Sequence, residues 1–286
     1  MRRLAMLIAV LALVLAEPDV QAQIPSSPKR IVSLSPHATE LLYAAGLGDH
    51  VVGVSESCDF PDAAKLKPKI SGYRGTNVEA VLALKPDLVI AWPGGNRVVD
   101  TDAIARFGVP VHASELSTLT GITDELRRFS GWTANDNAQR DARQQASDAD
   151  TLISSLRKRY ASARKVRVFY QLGEGRLFTL TDKHVIGEAL NVCGAENVFG
   201  ALALSAPEVS QEAVLAAKPD AVLIADGKSL ASVRANWQAT SLFFPGQAQE
   251  RVVAVDGARL HRPTMRTFTA VKSMCDVIDD VRRTLR

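Results

Sequence analysis

Three aromatic side chains, Tyr73, Trp92 and Phe178, lie in or beside glycine-containing stretches, and Arg262 follows His261 in a fourth. Rings offer broad apolar faces, with a polar handle on Tyr and Trp. A guanidinium adds a rigid fork of donors. Together these groups suit holding a ligand rather than breaking a bond. The groups that catalyse or ligate metals are scattered. His37, His50, His112, His184 and His261 form no His-x-x-x-His pair, and the three cysteines lack zinc-finger spacing. No Gly-x-Ser-x-Gly elbow, phosphate-binding loop or dinucleotide fingerprint occurs. No catalytic residue, metal ligand or cofactor is therefore assigned. The sequence reads as a binding protein; a hydrolase or metalloenzyme is the rival of another class.

The frame for these residues is a duplication. Asn77 to Trp92 returns as Ser210 to Ala225, and from Glu79 to Val89 every position except Leu84 and Leu88 matches its partner 133 residues on (212 − 79). That period is too long for a solenoid and marks two copies of one α/β unit. Asn77 and Ser210 are helix N-caps. Glu79 and Glu212 fall in the first turn, where the helix dipole favours negative charge. Pro86 and Pro219 end the helix. The runs Leu88–Ala91 and Ala221–Ile224 are continuously apolar, as parallel strands covered on both faces are. Glu40-x-Leu42 with Gly46 is echoed by Glu188-x-Leu190 with Gly194, which extends the duplication. Trp92 ends its strand where the second copy has Ala225, so the repeat's packing does not require it. Beyond the carboxyl end of a strand is also where α/β sheets bind ligands.

In chain order, strands are expected at Arg30–Leu34, Val51–Val54, Leu88–Ala91 and Val109–Ala113. Helices are expected from Ser35 to about Gly46 and near Thr101–Phe107, and Lys69–Asn77 reads as a loop. A long amphipathic helix without Pro or Gly runs from Asp136 to Lys165. The second half repeats the alternation from Val166. The fold class is α/β, two Rossmann-like lobes with parallel sheets joined by one long α-helix. The divisions are a leader over 1–22, an N-terminal lobe over 28–133, the connecting helix over 134–165 and a C-terminal lobe over 166–286. A stiff helical bridge implies a small hinge amplitude.

Composition sets further bounds. A chain of 286 residues, 47% hydrophobic, is ample for two cores. The net charge of +3 is spread among acids, which excludes a nucleic-acid footprint. Arg2-Arg3, the apolar run Leu4–Ala16 and the small-residue site Val20-Gln21-Ala22 read as a cleaved export signal. The run is shorter than the roughly 20 residues a membrane span needs. The expected location is the periplasm. Cys58, Cys193 and Cys275 allow three pairings. Cys193 and Cys275 both fall in the second lobe, which favours that pair, with three free thiols as the alternative.

Several stretches carry a resemblance. Arg30-Ile31-Val32-Ser33-Leu34-Ser35-Pro36 with Thr39-Glu40, Val52-Gly53-Val54-Ser55 followed by Asp59-Phe60-Pro61, and Ala83 to Trp92 with Gly94-Gly95-Asn96 resemble the periplasmic vitamin B12-binding proteins of cobalamin ABC importers. Val192 to Asn197, Val209 to Glu212 and Arg262 to Cys275 continue it, so it covers essentially the whole chain after the leader. The strand–helix motifs alone specify the wider group of helix-bridged metal-chelate binders, in which haem or a ferric siderophore is the alternative ligand. The resemblance implies a Cys193–Cys275 bridge. It implies a corrinoid ligand held in the inter-lobe cleft by Tyr73, Trp92, Phe178 and Arg262. It also implies delivery to a dimeric permease docked by Glu79 and Glu212, from a carrier that is monomeric when free. Two departures stand out: Ser57 and Ala206 replace family aromatics. Cys58 is left as a thiol that faces the cleft or is buried.

Overall fold

The computed structural model describes residues 23–225, 229–240, 242–243 and 247–285. The export signal expected over 1–22 lies outside the described residues. In chain order the first lobe contains β1 (Ile31–Ser33), α1 (Pro36–Ala44), β2 (Val51–Ser55), α2 (Asp62–Lys65), β3 (Lys69–Gly72), β4 (Gly75–Thr76), α3 (Val78–Ala83), β5 (Leu88–Ala91), α4 (Val98–Arg106), β6 (Val111–Ala113) and α5 (Leu119–Ser130). The long helix α6 (Asp136–Tyr160) follows. The second lobe contains β7 (Val166–Gln171), α7 (Val185–Val192), β8 (Ala195–Asn197), α8 (Gln211–Ala217), β9 (Ala221–Ile224), α9 (Leu230–Ala239), α10 (Ala248–Arg251), β10 (Val252–Ala254), α11 (Gly257–Leu260) and α12 (Met265–Thr284).

The first sheet runs β4-β3-β2-β1-β5-β6 and the second β10-β9-β7-β8. All pairings are parallel except β3 with β4. In each lobe the first strand is internal, and the chain leaves it toward one side before returning to the other. The switch points therefore lie between β1 and β5 and between β7 and β9, where an open α/β sheet leaves a crevice at its carboxyl edge.

The duplicated text folds the same way twice. Asn77 Oδ1 accepts from Ala80 N at 3.0 Å and Ser210 Oγ from Ala213 N at 3.1 Å. Lys85 and Lys218 turn the chain out of their helices with φ of 46° and 47°, a region that costs a side-chain-bearing residue about 1–2 kcal/mol. The reversal sets the next aspartate against the preceding strand. Asp87 accepts from Lys29 N and Arg30 N at 2.7 and 3.0 Å, and Asp220 accepts from Arg167 N at 2.9 Å. Each aspartate thereby fixes where the lobe's first strand begins beside the repeat's strand, which explains why both copies carry Lys-Pro-Asp.

Helix α6 spans 25 residues, about 37 Å. Its apolar stripe, Ala142, Ala146, Ala149, Ile153, Leu156 and Tyr160, is buried. One apolar cluster runs from Ile31 through this stripe to Val281, so the two lobes share a continuous core. Cys193, at the C-cap of α7, is bonded to Cys275 in α12, Cα–Cα 4.7 Å.

Several elements differ from the sequence reading, these three among them. Helix α6 stops at Tyr160 rather than Lys165, because the following backbone has other partners: Arg164 O accepts from Arg282 Nε and Val166 N donates to Gly194 O. Lys69–Asn77 contains the hairpin β3–β4 instead of being a loop throughout. The glycines at its turn make room there for the Glu56 carboxylate and for Asp100. Helix α5 has no counterpart in the reading. Gly121 and the threonines around it hide a helix capped by Thr118, whose Oγ1 accepts from Gly121 N at 2.9 Å, with Leu119, Ile122, Leu126 and Phe129 buried along one face.

Candidate functional site

Each side chain singled out in the sequence follows the carboxyl end of a parallel strand: Tyr73 after β3, Trp92 after β5, Phe178 after β7 and Arg262 after β10. Trp92 stands at the first lobe's switch point. Its N–H donates to Asn96 Oδ1 at 2.7 Å, and its carbonyl accepts from Gly95 N and Asn96 N at 3.0 and 2.8 Å. Asn96 Nδ2 then donates to Leu34 O at 3.1 Å, tying the turn to the end of β1. The indole lies over the two glycines. A Cβ on Gly94 would stand 2.7 Å from Trp92 Nε1, and one on Gly95 would stand 2.2 Å from Cε3. His37 meets the ring edge-on, centroids 5.9 Å apart. One side of the ring is packed, and 41% of the residue is still exposed.

His37 is itself buried. Its Nε2 lies 3.2 Å from Ser114 O. Burial, only partly offset by the Ser114 hydrogen bond and the charge of Glu125, lowers its pKa to about 4, so the imidazole beside Trp92 is neutral at pH 7.

The other candidates each have a neighbour of their own. Tyr73 is 89% exposed on the β3–β4 turn. Its hydroxyl accepts from Arg74 Nε at 2.9 Å, and it borders a groove of about 390 Å³ lined also by Glu56, Lys69 and Asn77. Phe178 is half-buried in the loop after β7, paired by backbone with Leu172 and Glu208, and the Arg176 guanidinium lies 5.4 Å from its ring centroid. Arg262 reaches out of the second lobe to the first, where its Nη1 donates to Asp59 Oδ1 at 2.5 Å. The loops after β2 and β10 therefore meet across the lobes, at the carboxyl ends of strands from both sheets. Tyr73, Trp92, Phe178 and Arg262 lie in four separate strand-end loops and are not stacked on one another.

Glu79 and Glu212 are exposed in the first turns of α3 and α8. The carboxyl of Glu212 is held below the usual range by its own backbone N–H and by the Ser210 hydroxyl. Cys58 does not face the cleft. It is 2% exposed, and its Sγ lies 3.1 Å from both Thr39 Oγ1 and Ser55 Oγ, packed with the first lobe's core. Ser57 and Ala206 are exposed.

Three groups at the junction of the lobes went unassigned in the sequence reading. Arg266, at the start of α12, grips Glu40 of α1 with two hydrogen bonds and lies 4.1 Å from the Phe60 ring centroid. In mirrored fashion, Glu188 of α7 accepts from Leu119 N, the first residue of α5, at 2.6 Å and pairs with Arg157. The only sequence signal for this cross-bracing is the echo between Glu40-x-Leu42 and Glu188-x-Leu190. Asp59 is the third. Below Arg262, Tyr170 Oη and His261 Nε2 are 2.9 Å apart. Burial pushes the phenol up and the imidazole down, so both are neutral at pH 7 and share one hydrogen bond.

Two helix-braced α/β lobes, joined by one long helix and opening at their carboxyl edges, define a class of ligand carriers. Residues 31–244 match the Periplasmic binding protein family, and the chain belongs to it. A vitamin B12-binding protein of Vibrio parahaemolyticus is 35% identical over 255 residues, covering 89% of this chain and 91% of the relative. The crystal structure of the periplasmic vitamin B12-binding protein BtuF of Vibrio cholerae superposes with a TM-score of 0.81 at 35% identity, covering 91% of this chain and all of that one (100%). The periplasmic haem-binding protein HutB of Vibrio cholerae shares the fold at TM-score 0.70 and 20% identity, covering 87% of this chain and 98% of that one.

Proposed function

We propose that the protein captures vitamin B12 or a related corrinoid between its lobes and delivers it to an ABC importer, making and breaking no covalent bond. The observation that carries this reading is Trp92: an indole pinned over Gly94-Gly95 at a sheet switch point, one face packed and the other side open. A flat macrocycle is the ligand such a ring suits. The vitamin B12-binding relatives at 35% identity support the corrinoid over haem or a ferric siderophore. In this reading Tyr73, Trp92, Phe178 and Arg262 touch the ligand, and the rings absent at Ser57 and Ala206 leave its rim less covered. Glu79 and Glu212, one on each lobe's repeat, pair with basic side chains of the permease. Residues 1–22 direct export and are removed, which leaves a carrier free in the periplasm.

Isothermal titration of the purified chain with cyanocobalamin tests this, with haemin and a ferric chelate as parallel titrants. Saturable one-to-one binding of cyanocobalamin is expected. Binding of haemin or the chelate alone would overturn the ligand assignment.

A further inference from the structure

Two arginines lead into α12, and the first lobe supplies a carboxylate to each. Arg266 is held by Glu40, whose side chain is 4% exposed. Arg262 is held by Asp59 at 2.5 Å, in a pair whose side chains are 33% and 57% exposed. The second pair joins strand-end loops from opposite lobes. Partial burial pushes the Asp59 carboxyl up, but the hydrogen bond and charge of Arg262, its own backbone N–H and the charge of Arg266 outweigh this and hold it below the usual range. The aspartate is therefore ionised at neutral pH, and an arriving ligand meets a neutralised pair instead of a free cation.

Flat tetrapyrrole-like ligands come in two chemical kinds at their periphery. Haem carries ionised propionates, whereas the corrin ring of vitamin B12 carries neutral carboxamides. A carboxylate that sought Arg262 would have to displace Asp59 or bring a second negative charge beside it, and like charges at contact repel. A carboxamide meets no such penalty. Its oxygen accepts from a remaining guanidinium N–H and its NH₂ donates to the carboxylate, so it uses both members of the pair. Specificity of this kind comes from the repulsive element as much as from the attractive one.

We propose that Asp59 is a specificity-determining residue, which occupies Arg262 so that the cleft accepts carboxamide-bearing corrinoids and rejects carboxylate-bearing macrocycles such as haem. The inference rests on the corrinoid reading above and names the group that enforces it.

The test is absorbance titration at neutral pH of the parent chain, Asp59→Asn and the double variant Asp59→Asn/Arg262→Gln, each with haemin and with cyanocobalamin. Asp59→Asn is expected to bind haemin at least tenfold more tightly than the parent, and the double variant to lose that gain. Haemin affinity within threefold of the parent in Asp59→Asn, or a gain that survives in the double variant, would overturn the role of Asp59. Failure of the parent to bind cyanocobalamin would instead sink the corrinoid reading, and this role with it. The two failures are read from different titrations.

Discussion

Glu40 and Arg266, 226 residues apart in sequence, meet in a two-pronged ion pair, with Arg266 Nε to Oε2 at 2.8 Å and Nη2 to Oε1 at 2.5 Å. The pair joins the first helix of one lobe to the last helix of the other. With Glu188 and Leu119 it braces the lobes at two related points, and α6 carries the core between them. Both braces, like the Arg262–Asp59 pair, tie the strand-end side of one lobe to the other.

Glu40→Ala should destabilise the fold. Removing one partner of a buried pair costs about 3–5 kcal/mol. Arg266 keeps some contact with water, with its side chain 30% exposed, so the lower end of that range is expected. Urea denaturation at neutral pH reads it directly, and an unchanged midpoint would show that the brace contributes nothing.

Trp92→Ala should weaken cyanocobalamin binding by about tenfold to a hundredfold, since covering a ring is worth about 1–3 kcal/mol. Gly95→Ala should act in the same direction with the indole still present, because its Cβ would stand 2.2 Å from Trp92 Cε3 and force the ring off the turn. Calorimetry compares the two. Parent-like affinity in Trp92→Ala removes the ring from the site, and parent-like affinity in Gly95→Ala removes the glycine's role in aiming it.

Stability should fall with acid between pH 6.5 and 4. Buried His37 has its pKa lowered from 6.5 to about 4. Over that interval the unfolded chain binds the proton and the folded chain does not, so stability drops as pH falls. At about 1.4 kcal/mol per unit, His37 accounts for a loss on the order of 3 kcal/mol. His184, depressed to about 4 by burial and by neighbouring His261, acts in the same sense. Chemical denaturation across this range should show the slope, flattened in His37→Gln. An identical slope in that variant would mean the imidazole is not what titrates.

Glu79→Lys/Glu212→Lys should leave corrinoid affinity at the parent value and abolish uptake when the variant replaces the parent in a cobalamin-dependent strain. Both side chains are exposed on helix first turns, so the double reversal is tolerated by the fold. Uptake at the parent rate would remove these acids from the docking surface.

The duplicated stretch carried much of the architecture in the open. Its caps, prolines and apolar runs are local signals, and the helices and strands form where those signals place them. Even the aspartates that fix strand register lie inside the repeat. Helix α5 was hidden because Gly121 and its threonine neighbours read as a turn, while its reason to be helical, an apolar face against α6, exists only after collapse. Trp92 was legible as a strand-end ring, but its flat pose over Gly94-Gly95 was not.

By itself, then, the chain text determined the two-lobed α/β plan and the loops in which the candidate side chains lie, because hydrogen bonding over a few residues and the period of apolar positions are written locally. The pairing of Arg262 with Asp59, the bracing by Glu40 and Glu188 and the burial of Cys58 were decided only by the tertiary structure. Arg262 and Asp59 are 203 residues apart, and nothing in the sequence around either names the other. Such contacts exist only once the shared core has drawn the lobes together.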